Sequence, residues 1–139
     1  MSSLPIRELL RQAGWVPAAV FGFHAVLSLS GAYQRHPALD IPMHIVGGAA
    51  IAFFFDRCFV RLARPEVSLQ IVNIVRNSVV FALTVSAATF WEFGEFLFDR
   101  AFGTHTQAGL EDTLFDMVLG IIGGVSYLCA AAWASRART

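Results

Sequence analysis

The chain has 139 residues, enough for one domain, and a formal net charge of zero, which removes the basic surface that nucleic-acid binding needs. Apolar residues make up 56% and mean hydropathy is +0.60, with 13 Phe and no Lys. This balance excludes an ordinary water-soluble globule and points to an integral membrane protein.

Residues 1–12 set Arg7 and Arg11 beside Leu4, Ile6, Leu9 and Leu10, the pattern of a short amphipathic segment at a membrane surface. The run 13–33 is apolar and of spanning length. Its positive start and its small residues Ser28, Ser30 and Gly31 resemble a signal peptide, but its length and His24 favour a retained helix. A loop with Arg35, His36 and Pro37 leads to a second apolar run at 41–59. Residues 56–76 are polar and Arg-rich, with Pro65 as a breaker, and a third run follows at 77–98. The loop 99–111 holds Gly103, His105, Gln107 and Gly109, the fourth run is 112–133, and Arg136 and Arg138 close the chain. Cys58 and Cys129 are isolated and read as inert helix filler. Backbone groups in lipid must bond within their own segment, so long apolar runs predict helices. The expected fold is all-α: an integral membrane four-helix bundle, one domain over 1–139, with the amphipathic segment at its N-terminus.

Arginine gives an orientation. Arg7, Arg11, Arg57, Arg61, Arg64, Arg76, Arg136 and Arg138 fall on one side, and only Arg35 and Arg100 on the other. The positive-inside rule then puts both termini in the cytoplasm of a multi-pass inner-membrane protein. Acids are distributed the opposite way. Asp40, Glu92, Glu95, Asp99, Glu111, Asp112 and Asp116 all lie at or near the outer side.

Spacing groups these acids. Asp40 with His44 and Asp112 with Asp116 are i,i+4 at helix starts, and Glu92 with Glu95 are i,i+3 near a helix end. At a rise of ~1.5 Å per residue the three pairs reach similar depths, so one pocket is expected. Gly47, Gly48, Gly120, Gly123 and Gly124 continue the same faces and would let the helices approach closely. An ionised carboxylate in the apolar zone costs roughly 2.5–3.5 kcal/mol, less near the interface. Two arginines cannot neutralise the set, so bound cations or protons must. Asp40, His44, Glu92, Glu95, Asp112 and Asp116 are therefore the candidate ligands of a divalent metal ion, with Zn, Mn, Fe and Mg all compatible with the donor types. Inward acids at i,i+3 spacing serve di-metal bundles in a comparable way. The alternative for the set is a hydrogen-bonded network of carboxyls, some of them protonated. His24 reads as a structural histidine that could support a ligand, and Gln107 and Gly109 as a lid or an ordinary turn.

The order D-x-x-x-H (Asp40, His44), E-x-x-E (Glu92, Glu95), then Q-x-G-x-x-D-T-x-x-D-M from Gln107 to Met117 with a following G-x-x-G-G resembles the YjdF-like family of uncharacterised bacterial inner-membrane proteins. It is also similar, more distantly, to the VanZ-like family. The resemblance spans roughly residues 40–124 and implies a small multi-pass membrane protein of the cell envelope. Three functions stay open. The first is a metal-dependent enzyme acting at headgroup depth on membrane lipids or isoprenoid phosphates. The second is a proton- or cation-coupled transport protein. The third is a structural, partner-binding protein. Oligomerisation is left open as well.

Overall fold

The computed structural model describes residues 6–62 and 69–137. Helix α1 (Ile6–Leu9), a π turn (Leu10–Gly14) and α2 (Trp15–Leu29) run on into one another as the first candidate span, Arg7–Leu29. The π turn sits where Pro17, which has no N–H and crowds the preceding turn, perturbs the helical ladder. Then come α3 (Ala32–Arg35), a 3₁₀ turn (Pro37–Leu39), α4 (Asp40–Leu62), α5 (Leu69–Phe102) and α6 (Leu110–Arg136). Four segments are long and apolar enough to cross a membrane, and the described residues form helices and connecting turns without strands. The all-α membrane bundle expected from the sequence is what the chain forms.

The elements outrun their apolar cores. The expected first helix, 13–33, instead breaks after Leu29, because Gly31 adopts a left-handed φ of +68° and lets the chain turn into α3. The N-terminal segment does not stand apart as a separate surface helix. It continues into α2, Gln12 bonds Arg61 at the far end of α4, and Gly14 lies near Leu10 and Phe54. The stretch expected to be a polar link from Asp56 to Arg76 is largely helical, with Asp56, Arg57 and Arg61 in α4 and Arg76 in α5. Arg64, Pro65 and Glu66 of that link, together with Leu4 and Arg138, lie outside the described residues.

Helix α4 is the hub. It packs most extensively on α6, then on α5, and carries α2 on its remaining side, while α5 and α6 also pack together. Glycine sets how closely α6 approaches α4 and α5. A Cβ on Gly48 would collide with the Gly120 backbone, one on Gly123 with the Ile45 carbonyl, and one on Gly124 would come within 2.7 Å of the Thr84 methyl. With little hydrophobic drive between helices in lipid, this backbone approach supplies the packing energy. Gly47, expected to share that role, meets nothing within 4 Å and faces open space instead.

Burial is inverted relative to a soluble protein. The buried apolar residues are few and mostly small: Ala13, Ala32, Ala50, Ala52, Val80 and Leu119. The buried polar ones are Asp56, Thr84, Glu92 and Asp116, while Phe90, Phe93, Leu97 and Phe115 point outward. Hydrocarbon is the surrounding medium that suits such a surface.

Candidate metal centre

Helix α4 opens with Asp40, Ile41 and Pro42, a proline placed in the first turn where its missing N–H costs nothing. One turn further in, His44 is only 11% exposed at its side chain. Its Nε2 lies 3.4 Å from Asp40 Oδ1 and 3.7 Å from Asp116 Oδ1 of α6. One donor atom from each of Asp40, His44 and Asp116 falls within 4.8 Å of the other two. The other ring nitrogen, Nδ1, is 4.0 Å from Glu92 Oε1 of α5. Three helices thus converge on one imidazole.

Glu92 is 96% buried by side chain, and its Oε1 has no hydrogen-bond partner. Its other oxygen, Oε2, accepts from Gln107 Nε2 at 3.3 Å, and the same amide donates to the Glu92 carbonyl at 2.9 Å. A buried carboxylate oxygen aimed at a histidine and left unbonded is costly unless a proton or a cation completes it. Neither Arg35 nor Arg100 forms an ion pair with the cluster among the described residues.

The other two candidate ligands stand apart from the trio. Asp112, one turn before Asp116, accepts the Ala108 N–H at 3.0 Å and closes the start of α6, where a negative charge also suits the helix dipole. Glu95 is half-buried, one turn from Trp91 and on the side of Tyr33 and Asp40. Spacing i,i+3 puts Glu92 and Glu95 near one another, but among the described residues only Glu92 comes within 4.0 Å of a His44 ring nitrogen.

Above the cluster lies the loop between α5 and α6. Gly103, at φ +66°, stops α5. Asp99 then gathers the loop, accepting from the Thr104 hydroxyl, from the Thr106 N–H and hydroxyl, and from the Gln107 N–H. This anchoring is what delivers Gln107 to Glu92. Gln107 thus takes part in the loop's turn through its N–H and reaches Glu92 through its side chain.

His24 of α2 is satisfied by neighbours. Its Nδ1 pairs with the Tyr33 hydroxyl at 2.9 Å, its Nε2 lies 3.4 Å from Ser28 Oγ, and Trp91 meets its ring edge-on at 5.0 Å. Burial, with Asp40 and Glu95 nearby, pushes the Tyr33 phenol up to about 12, so it keeps its proton over the physiological range.

A second polar cluster, not foreseen from the sequence, sits at the opposite end of the bundle. Asp56 of α4 is 96% buried, pairs with Arg76 of α5 and accepts from the Tyr127 hydroxyl of α6 at 2.7 Å. The signal for it was three polar residues within about two to three turns of their helix ends on that side of the bundle. Reading 56–76 as a link hid it.

The fold and the acid-rich cluster define a multi-pass α-helical membrane protein. The sequence matches, over residues 9–138, the family described as "Predicted membrane protein (DUF2238)", and the chain belongs to that family. It is also similar to a protein of Thermotoga maritima described as uncharacterised, 29% identical over 94 residues. That alignment covers 66% of this chain and 46% of the relative, so the chain spans about half the length of the curated relative it matches. No solved structure matches.

Proposed function

We propose that the Asp40, His44 and Asp116 group binds a divalent cation close to the extracytoplasmic face of the inner membrane, and that the protein uses this ion to act on lipid or isoprenoid-phosphate headgroups. The reading rests on one observation: three donor atoms from α4 and α6 gathered within 4.8 Å, with the unpartnered Glu92 Oε1 facing the same imidazole. Asp40, His44 and Asp116 are the ligands, and Glu92 is a fourth ligand or a general base. Asp112 and Glu95 serve at the margin, Asp112 by holding the loop and Glu95 by its charge. A bound ion would polarise a phosphoryl group or a water. Gln107 fixes the Glu92 carboxylate, and the loop over it limits water access. The placement follows from the arginine distribution, which sets the Arg35 and Arg100 end outside and both termini inside. The VanZ-like ordering of the acids supports a role in the cell envelope.

Ion transport fits less well. Between the His44 cluster and the Asp56 cluster the α4–α6 seam is closed by Gly48 against Gly120 and Gly123 against Ile45. A polar route between the two ends has no space there.

Equilibrium dialysis of the full chain in nanodiscs against Mn²⁺, Zn²⁺ or Mg²⁺, read by elemental analysis, tests the reading. Stoichiometric binding by the wild type is expected, reduced roughly tenfold or more in His44→Ala and Asp116→Asn. Equal ion content in wild type and both variants overturns it.

A further inference from the structure

A cavity of about 370 Å³ lies directly beneath the His44 cluster, between α2, α4 and α5. It runs from His44, His24 and Trp91 down to Ile51 and Thr84, about 10 Å along α4 at ~1.5 Å per residue. It exists because α2 packs on α4, and side chains rather than backbone close the gap to α5, with Phe21 and Trp91 edge-on at 5.8 Å.

The walls offer almost nothing to water. The Thr84 hydroxyl donates to the Val80 carbonyl at 2.8 Å. Both His24 nitrogens are taken by Tyr33 and Ser28. The other lining side chains are apolar or absent, as at Gly47, whose missing Cβ would meet nothing within 4 Å. A water held there needs two to four polar partners, which these walls do not supply, and the cavity opens at its side rather than being sealed. Only at the upper end, at His44, does polarity appear.

We propose that this cavity seats the upper part of one acyl chain of a bilayer phospholipid, with the phosphate of that lipid at the Asp40, His44 and Asp116 group. Two features select this occupant. The cavity lies at the depth of the surrounding acyl chains, so the bilayer itself supplies the filling. And the dry chamber joins the carboxylate–imidazole cluster at one end, matching an amphiphile with its headgroup on a cation and its tail below. The chain end of the assignment stands on the cavity alone; the headgroup end rests on the cation reading above.

The test uses the full chain in phosphatidylcholine nanodiscs doped with a phosphatidylglycerol that carries a diazirine in the upper half of one acyl chain. After illumination, labelled residues are mapped by mass spectrometry. Label is expected on Ile51 and Ala87 above the level at Phe93, which faces outward from α5. Gly47→Leu fills the cavity without touching backbone and should lose the Ile51 and Ala87 label while keeping that at Phe93. Ala87→Leu narrows the cavity from the α5 side and should lose the Ile51 label while keeping that at Phe93, which guards against a folding defect in either variant. Gly22→Leu, at an exposed α2 position that also meets nothing within 4 Å, should label as wild type does. Equal cavity labelling in Gly47→Leu and wild type overturns the proposal, as does cavity label no greater than that at Phe93. Cavity labelling by a diazirine isoprenyl phosphate but not by the phospholipid overturns the choice of occupant. Cavity labelling by the phospholipid in a protein that binds no cation upholds the chain seat and removes only the cation.

Discussion

Gly48→Ala adds one methyl group at the tightest point of the bundle. Its Cβ would lie 2.7 Å from the Gly120 carbonyl carbon and 2.9 Å from the Gly120 Cα. Carbon atoms at rest keep ~3.5–4.0 Å. The obstruction is backbone, which cannot rotate aside as a side chain would, so α4 and α6 must separate by on the order of 1 Å. The same displacement loosens Gly123 against Ile45, which shares the seam. A gap of that size forfeits a quarter to a half of each contact's attraction, and overpacking of this kind costs about 1–3 kcal/mol. A loss near ~2 kcal/mol is expected. Gly47→Ala, one residue earlier, makes no new contact and gains up to ~1 kcal/mol of helix propensity. Unfolding by SDS titration in mixed micelles, followed by helical circular dichroism, reads both variants. The adjacent pair should move in opposite directions. Equal midpoints for the two would refute the close approach of α4 and α6.

Three further outcomes are expected. Asp116→Asn removes a charge from an uncompensated cluster, so the cation-free variant should be more stable than cation-free wild type by about 1 kcal/mol, an interface-depth fraction of the insertion cost. The wild type should gain about 2.7 kcal/mol from cation at a hundred times its Kd, and the variant at most about 1.4 kcal/mol, both read by the same SDS titration. Arg76→Leu leaves Asp56 buried with only Tyr127 and should cost about 2 kcal/mol, below the usual range for a buried pair because Arg76 is itself 20% exposed. Asp99→Ala releases the loop, so the Thr106 and Gln107 amides should exchange hydrogen faster while those in the middle of α6 do not change.

How much was legible follows from what each signal depends on. Spans depend on composition, so four helices could be read directly, although their ends could not. Gly31 and Gly103 stop helices through left-handed backbone that other residues adopt at a cost, and a glycine in an apolar run looks the same before the chain is folded. The core of the cluster was legible because i,i+4 spacing fixes Asp40 and His44 on one face and orders Asp116 toward it. Spacing alone could not separate Glu92 from Glu95, or Asp116 from Asp112, since each pair shares a face and differs by a turn in depth. That choice is made by the depth at which α5 and α6 pack beside His44, which nothing local in the sequence encodes. Equally, nothing local distinguishes Gly47 from Gly48, yet one lines a cavity and the other touches a backbone.

The two polar ends of the bundle serve as each other's control. At one, Asp56 has a cation in Arg76 and a hydrogen-bond donor in Tyr127, so its charge is answered within the protein and the three helices are fixed there. At the other, the same three helices bring together Asp40, Glu92 and Asp116 around a single imidazole. Even a protonated His44 leaves that group short of positive charge, and Glu92 Oε1 goes without any hydrogen bond. The helices α4, α5 and α6 thus carry one site that is complete and one that is complete only with something added. A bundle that needed acids merely to hold its helices together already has the better arrangement at Asp56. The open deficit at His44, lying directly above an apolar pocket, is what the proposed cation and lipid would answer, while shared protons within the cluster are the structural alternative that the dialysis test separates from it.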